Sequence, residues 1–277
     1  GTNSMHSAPH HMAKVRLVLH QLAREWSSEG EQERKDCFGP ILEQLNIHCE
    51  KRSRVLCPGA GLGRLPVEIV GNGYACQGNE FSYHMLLAGD LALNQLNTKE
   101  EDVIHPWLDN TCNVKNVHDL YRRVNIPDTT AREIMKNNQN PELSMCAGEF
   151  IESYAPEPES WDCVVTCFFI DTAPNVFQYI ETIKTILKPG GIWINHGPLL
   201  WHWCSPEFAS TPSTKKQDSR YHESIELSYD ELKCAITSYG FEYLHEEWRR
   251  CNYSSNNKSM LSSMYDTILF TCRKPAR

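Results

Sequence analysis

The amino-acid sequence predicts an α/β fold, in which a mostly parallel β-sheet carries helices on both faces. From Arg54 onward, short apolar runs alternate with longer amphipathic stretches, which is the pattern of consecutive strand–helix units. A glycine-rich turn, Gly59 to Gly63, joins the first apolar run to the first amphipathic stretch. The length of 277 residues allows one or two domains with a sizeable core.

The first 53 residues contain two predicted helical segments. Apolar residues recur at helical spacing over residues 12–26 and again from about 33 to 47. Pro40 lies inside the second segment and is expected to break or kink it, because proline lacks the N–H that a helix needs. We therefore interpret residues 1–53 as an N-terminal helical cap and residues 54–277 as the main domain.

The main domain alternates between strands and helices. Strands are predicted at 55–57, 74–77, 143–146, 163–170, 192–195, 241–247 and 267–271. Helices are predicted from the glycine turn to about 70, and at 81–96, 176–187 and 229–238. Residues 97–142 lose all periodicity and carry Pro, Asn and Asp, so we interpret them as an insertion. A second insertion is predicted at about 203–225.

The composition narrows the classes of function. Lys and Arg number 27 against 35 Asp and Glu, which gives a formal net charge of −8. This acidic balance argues against a general nucleic-acid or membrane-surface binder, since both need a basic face. The apolar stretches are too short for a transmembrane helix. We therefore expect a folded, soluble protein that binds neither nucleic acid nor membrane.

Cysteine usage indicates the redox compartment. The chain has 12 cysteines and no Cys-x-x-Cys pair. A zinc site favours close pairs, and a disulfide scaffold favours a shorter, secreted chain. We therefore predict no metal site and a reducing compartment, with the cytoplasm first and the nucleus as the other open location.

A nucleoside-binding site is predicted after the first two strands. Glycines at 59, 61 and 63 allow positive φ angles and close approach of a ligand to the backbone. Glu80 ends the second strand about 20 residues later, where a carboxylate can accept both ribose hydroxyls. A dinucleotide motif would have a third glycine at position 64, but this chain has Arg64. A nicotinamide-dependent dehydrogenase therefore stays open as the weaker alternative.

Several segments resemble S-adenosylmethionine (SAM) methyltransferases. Lys188-Pro189-Gly190-Gly191 before a strand and the terminal pair of strands are similar to class I, Rossmann-like enzymes, whose last strand is antiparallel in a hairpin. Four segments together resemble the carnosine N-methyltransferase (N2227-like) family over nearly the whole chain from residue 19. They are CPGAGLGRL at 57–65, CQGNE at 76–80, TCFFIDTA at 166–173 and GGIWINHGPLLWH at 190–202.

The resemblance implies methyl transfer from SAM to an imidazole nitrogen of carnosine, which gives anserine and S-adenosylhomocysteine. The implied cofactor-binding residues are Gln21, Arg24, Gly59, Gly61, Glu80, Glu149, Phe150 and Cys167. Glu149 stands where the family has Asp, so its carboxylate reaches one methylene further. Arg24 is expected to pair with the cofactor carboxylate, although the sequence alone favours a solvated charge on an amphipathic helix. Cys57 stands where class I methyltransferases usually have an acid before the first glycine.

The resemblance also implies a substrate side, formed by Phe168, Asp171, His202 and Tyr265. Asp171, His202 and Tyr265 are the implied catalytic residues, with Asp171 accepting the imidazole N–H that is not methylated. The sequence alone also fits ordinary roles: a helix N-cap for Asp171, a core histidine for His202 and a core aromatic for Tyr265. Ser263 replaces a family Tyr, so the substrate preference can differ.

The remaining expectations concern the acceptor, the alternatives to it, and the assembly. The acceptor is expected to be a histidine dipeptide, either carnosine or a related peptide. A histidine within a protein substrate stays open, as does a non-catalytic methyltransferase-like scaffold. A homodimer is a further expectation for the assembly.

Overall fold

The computed structural model describes residues 9–204, 220–253 and 256–276. The strands in these residues are β1 Arg54–Pro58, β2 Ala75–Glu80, β3 Asp102–Ile104, β4 Val124–Ile126, β5 Glu142–Ala147, β6 Trp161–Cys167, β7 Leu187–Gly197, β8 Glu242–Asn252 and β9 Met264–Arg273. The α-helices are α1 Pro9–Trp26, α2 Glu31–His48, α3 Arg64–Gly71, α4 Tyr83–Asp90, α5 Val117–Leu120, α6 Ala131–Met135, α7 Phe150–Tyr154, α8 Val176–Ile186, α9 Arg220–Glu223 and α10 Tyr229–Ser238. Short 3₁₀ turns cover Ser28–Gly30 and Ile170–Thr172, and a π turn covers Leu91–Gln95.

A seven-stranded sheet forms the centre of the described structure, in the order β5-β2-β1-β6-β7-β9-β8. β1 lies between β2 and β6 and pairs with both in parallel. From β1 the chain builds outward to β2 and β5, and then crosses back to β6 and β7 on the other side. The order therefore reverses between β1 and β6. Ligands of open α/β sheets bind beyond the carboxyl ends of the strands at such a switch point.

The last two strands confirm the predicted terminal hairpin. β9 inserts between β7 and β8 and is antiparallel to both, with Leu269 opposite His196 on one side and Ile268 opposite Trp248 on the other. The rest of the sheet is parallel. The predicted α/β class, with a mostly parallel sheet and an antiparallel end, is confirmed.

Helices cover both faces of the sheet. One core joins α8 and α10 to the sheet through buried residues such as Ile180, Ile236 and Trp193. The other core joins α2 and α3 to the opposite face through residues such as Ile41 and Ile69. Burial on both faces explains why the central strands are apolar runs rather than alternating patterns.

Several boundaries differ from the sequence prediction. β7 begins at Leu187 and not at residue 192, so the predicted turn at 188–191 is part of the strand. α2 runs unbroken through Pro40, because the helix packs on the sheet on both sides of the proline and this packing outweighs one missing hydrogen bond. β6 spans Trp161–Cys167 and not residues 163–170. The backbone turns away at Phe168, which has a φ of +51°. An apolar run alone does not mark where a buried strand changes direction.

The predicted insertion at 97–142 has its own secondary structure. β3 and β4 pair as a small antiparallel sheet, and α6 packs against α3. The segment is held to the helical region by Arg122, which pairs with Glu29 at 2.7 Å. Most of the second predicted insertion, residues 205–219, lies outside the described residues. In the described parts, none of the helices combines the length and the apolar character that crossing a bilayer requires.

Candidate active site

The glycine turn follows β1 at the carboxyl edge of the sheet. Gly59, Gly61 and Gly63 all have positive φ angles, +68°, +56° and +82°. A Cβ atom at Gly59 would lie 2.5 Å from the ring of Phe169. Glycine is thus required here both by the backbone conformation and by the close approach of the β6 end.

Glu80 ends β2 beside this turn. Its carboxylate accepts the Gly61 N–H at 3.0 Å and the Ser82 N–H at 2.6 Å. Burial raises the pKa of Glu80, and hydrogen bonds from neighbouring backbone N–H groups oppose that rise. A carboxylate has about four lone-pair sites, so it can accept ligand hydroxyls as well as these two bonds.

Helix α1 brings the predicted residues Gln21 and Arg24 against the glycine turn. Both are buried, so Arg24 is not the solvated charge that its sequence context favours. Its guanidinium lies 4.4 Å over the Tyr253 ring and its Nε donates to Glu33. Arg24 Nη2 is buried and has no hydrogen-bond partner in the described structure. A buried guanidinium with a spare donor is suited to a carboxylate ligand.

A cavity of about 50 Å³ lies between α1, the glycine turn and the end of β6. Its wall includes Arg24, Cys57, Gly59, Cys167 and Tyr253. A larger open groove of about 360 Å³ lies near Arg54, at the opposite end of β1, away from the carboxyl edge. We assign the site to the smaller cavity, because it contains the glycine turn and the buried charges.

Glu149 and Phe150 follow β5 at the same edge. The Glu149 side chain caps α7 by accepting the Glu152 N–H at 2.8 Å. The Phe150 ring is buried and packs edge-on against Phe169 and Tyr179, at 5.5 and 5.2 Å between centroids. The structure therefore assigns these side chains capping and core contacts, and their roles toward adenine stay predictions.

Asp171 lies just beyond β6 and is 3% exposed. Its Oδ2 accepts the Leu200 N–H at 2.9 Å, and its backbone carbonyl accepts the His202 N–H at 3.0 Å. It does not cap α8, because Asn175 does so. Burial raises the pKa of Asp171 from 3.8 to about 7. A carboxyl group that titrates near neutrality at a sheet edge is typical of functional sites.

Aromatic side chains surround the end of the cavity. The Phe168 ring lies 4.7 Å from the Tyr253 ring and meets the Tyr265 ring edge-on at 6.4 Å. Tyr265 is half-buried, while His202 is exposed and is not a core histidine. Gln21, Arg24, Cys167 and Phe168 thus line one cavity, Glu80 accepts the Gly61 N–H beside it, and Phe168 also meets Tyr265. Among the described residues, Asp171 and His202 lie after β6 and do not line this cavity.

Sequence reasoning missed three residues of this region. Glu25 and Tyr253 both line the cavity, and His196 lies behind it, hydrogen-bonded to the Cys37 carbonyl and the Thr267 hydroxyl. Burial lowers the pKa of His196, consistent with a neutral, structural ring. The one available signal was Glu25 beside Arg24, two charges in a helical segment that ends in Trp26. Tyr253 comes from distant sequence and carries no local signal.

The sequence is similar to a known protein family and to several of its members. A family model described as carnosine N-methyltransferase matches residues 2–276. A carnosine N-methyltransferase of Dictyostelium discoideum is 44% identical over 94% of this chain and 54% of its own length. The one of Rattus norvegicus is 40% identical over 95% of this chain and 64% of its own length. The chain therefore spans between about half and two thirds of the length of these relatives.

Solved structures support the fold. A SAM-dependent methyltransferase from Methanosarcina mazei aligns with a TM-score of 0.51 at 13% identity, over 84% of this chain and 98% of that one. The YcgJ protein of Bacillus subtilis aligns with a TM-score of 0.50 at 12% identity, over 87% and 99%. At these identities the alignments concern only the fold, which is that of the class I methyltransferases. The family model, by contrast, matches nearly every residue, and the chain therefore belongs to the carnosine N-methyltransferase family.

Proposed function

We propose that this protein transfers a methyl group from SAM to an imidazole nitrogen of carnosine, giving anserine. The observation that carries the proposal is the arrangement at the switch point. The buried cation Arg24 lines the cavity at the glycine turn together with Phe168, Glu80 accepts the Gly61 N–H beside it, and Asp171 is buried just after β6. The names of the relatives support the choice of substrate.

The side chains at the glycine turn fit a zwitterionic nucleoside cofactor. We assign Glu80 to the ribose, and its position at the end of β2, where it accepts the Gly61 N–H, supports this role. Arg24 offers the unpartnered Nη2 donor to a carboxylate. SAM, when bound, supplies a methyl group activated on a sulfonium. The residues of this chain have to bind it, exclude water and present the acceptor ring.

The acceptor chemistry needs one imidazole nitrogen free and the other protonated. Imidazole has a pKa of about 6.5, so it is mostly neutral at pH 7 and needs no strong general base. Asp171, once ionised, accepts the N–H of the nitrogen that is not methylated and so selects the tautomer. The same carboxylate stabilises the imidazolium that forms as the methyl is transferred. We assign His202 the orientation of the ring; its backbone N–H donates to the Asp171 carbonyl, which supports a position near that residue.

Aromatic rings complete the acceptor end. Phe168 and Tyr265 meet edge-on, and Phe168 also packs on Tyr253. Their faces favour a cationic imidazole, and their bulk excludes water from the transfer path. Holding the ring near attack distance supplies much of the remaining acceleration.

Labelled methyl transfer to a panel of histidine dipeptides tests the function. The panel contains carnosine, a dipeptide without histidine as the control, and a histidine-containing protein fragment. We expect label in carnosine, with the methylated nitrogen identified by NMR. Binding of S-adenosylhomocysteine without transfer to any dipeptide would contradict the proposal, and transfer only to the protein fragment would change the acceptor.

Location and assembly are part of the same proposal. We infer a reducing compartment, the cytoplasm or the nucleus, from the 12 cysteines and their lack of close pairs. Fluorescence of a tagged full-length protein tests this location. A homodimer is the proposed assembly, and light scattering on the purified protein tests it.

A further inference from the structure

The cavity has an unusual carboxylate. Class I methyltransferases usually have an acid two positions before the first glycine of the turn, where it serves the methionine end of the cofactor. This chain has Cys57 at that position, with no charge to offer an ammonium group. Burial raises the pKa of the Cys57 thiol well above its usual value, so it stays neutral.

Glu25 lies where its carboxylate can replace the missing acid. It comes from α1, is 3% exposed and lines the same cavity as Cys57 and Gly59. Its Oε1 would be 2.9 Å from a Cβ atom at Gly61, so it lies directly over the glycine turn. It is also close enough to Cys57 and Cys167 for its charge to raise both thiol pKa values further.

The bonds that Glu25 makes leave it acceptor capacity. Oε1 accepts from the Gln21 amide at 2.9 Å, and Oε2 accepts the Arg64 N–H at a long 3.3 Å. The Arg24 guanidinium is 3.6 Å away, which is beyond a good hydrogen bond. A carboxylate has about four acceptor sites, so at least one stays open for a further N–H donor.

The local charges leave room for a cation. Arg24 faces two carboxylates, Glu25 at 3.6 Å and Glu33 on its other side. These three side chains, when ionised, sum to one negative charge in a buried setting. Glu25 lines the cavity, whereas Glu33 faces a separate cleft near Gly30 and Trp107. Arg24 lines the cavity and has one unpartnered guanidinium donor, and the Glu25 carboxylate lies next to it. This pair of side chains complements an α-amino-acid zwitterion.

We propose that Glu25 binds the α-ammonium group of the methionine end of SAM, in place of the acid that is absent at position 57, while Arg24 binds the α-carboxylate. This inference rests on the proposed function, since it takes SAM as the occupant of the cavity. It gives α1 a direct part in cofactor recognition. It also predicts that a residue outside the glycine turn binds the α-ammonium group of SAM.

The test compares two ligands, S-adenosylhomocysteine and its analogue without the α-amino group. Calorimetry with the full chain measures both dissociation constants for the unmodified protein, Glu25→Gln and Glu33→Gln. Glu33→Gln is the matched control, because it also removes a partner of Arg24 but no cavity carboxylate. We expect Glu25→Gln to weaken S-adenosylhomocysteine about ten- to a hundredfold and the analogue less than about threefold. We expect Glu33→Gln to change both ligands by the same factor.

The outcomes separate this inference from the function on which it rests. Equal losses for both ligands in Glu25→Gln would make Glu25 a purely structural residue and overturn the inference alone. So would equal binding of both ligands by the unmodified protein, a result that needs no variant to fold. Absence of any S-adenosylhomocysteine binding by the unmodified protein would overturn the proposed function as well. Glu25→Asp should keep the preference for the amino group, because it retains the charge.

Discussion

At the scale of single residues, Asp171 is the residue that we propose to accept the imidazole N–H. Its carboxyl is buried, held by the Leu200 N–H, and has a pKa raised to about 7. We expect Asp171→Asn to lower turnover about ten- to a hundredfold, because the amide cannot supply the charge that stabilises the imidazolium. Affinity for S-adenosylhomocysteine should hardly change, since the role proposed for Asp171 concerns the acceptor and not the cofactor. Steady-state kinetics and calorimetry measure the two effects, and a variant that chiefly loses cofactor would assign Asp171 another role.

The same residue predicts a pH-dependent stability. Between about pH 4 and pH 7 the folded protein holds a proton on Asp171 that the unfolded chain has released. The contribution of Asp171 therefore becomes less favourable to folding as pH rises through this window, and it is constant above it. Asparagine does not titrate, so the stability of Asp171→Asn relative to the unmodified protein should rise from pH 5 to pH 8. Urea unfolding at both pH values measures this difference, and an unchanged difference would show that the Asp171 pKa is ordinary.

Glu80 carries a separate prediction for the cofactor. Glu80→Gln keeps the shape and can still accept the Gly61 N–H, but it loses the charge that we propose Glu80 offers to the ribose hydroxyls. We expect S-adenosylhomocysteine to bind about tenfold or more weakly, as measured by calorimetry. Glu142→Gln, at the far end of β5, is the control and should bind normally. Equal affinities for the unmodified protein and Glu80→Gln would remove Glu80 from the cofactor site.

At the scale of elements, α1 belongs to the core and is not a detachable lid. Trp26 is fully buried, packs with Leu22 and Leu62, and donates its indole N–H to the Leu62 carbonyl at 3.2 Å. We expect Trp26→Ala to lower the free energy of unfolding by about 3–5 kcal/mol. Trp26→Phe keeps most of the apolar contact and should cost less. Removal of residues 1–28 should accordingly unfold the protein, and circular dichroism that shows a folded, cooperatively melting truncation would contradict this.

At the scale of the whole molecule, the sequence predicts the sheet better than the site. The strand–helix alternation, the glycine turn and Glu80 are local patterns, and the structure places each where its pattern predicts. The residues missed, Glu25 and Tyr253, depend on which distant segments meet. Nothing local indicates that α1 packs on the glycine turn, where Glu25 accepts the Arg64 N–H, or that Tyr253, just after β8, approaches Phe168. The same reason explains why the sequence context of Arg24 favoured a solvated charge. Its burial results from tertiary contacts, which the helical pattern of apolar residues does not predict.

One carboxylate holds three distant parts of the chain together. Asp128, in the insertion between α4 and β5, pairs with Arg34 of α2 at 2.6 Å and with Arg64 of α3 at 2.8 Å. Its backbone N–H also donates to the Trp26 carbonyl of α1, at 2.9 Å. Burial and the nearby Arg64 charge lower the pKa of Arg34 to about 10. The two guanidiniums therefore repel each other and depend on Asp128 for compensation.

Loss of the Asp128 charge is expected to destabilise the whole protein. Asp128→Asn leaves two nearly buried guanidiniums without their shared anion, and removing one partner of a buried ion pair costs about 3–5 kcal/mol. Asp266→Asn is the matched control, because the Asp266–Arg250 pair is mostly exposed and should contribute less than about 1 kcal/mol. Urea unfolding of both variants at low and high salt gives the comparison. Similar small losses in the two variants would mean that the Asp128 network does not hold the insertion to the helices.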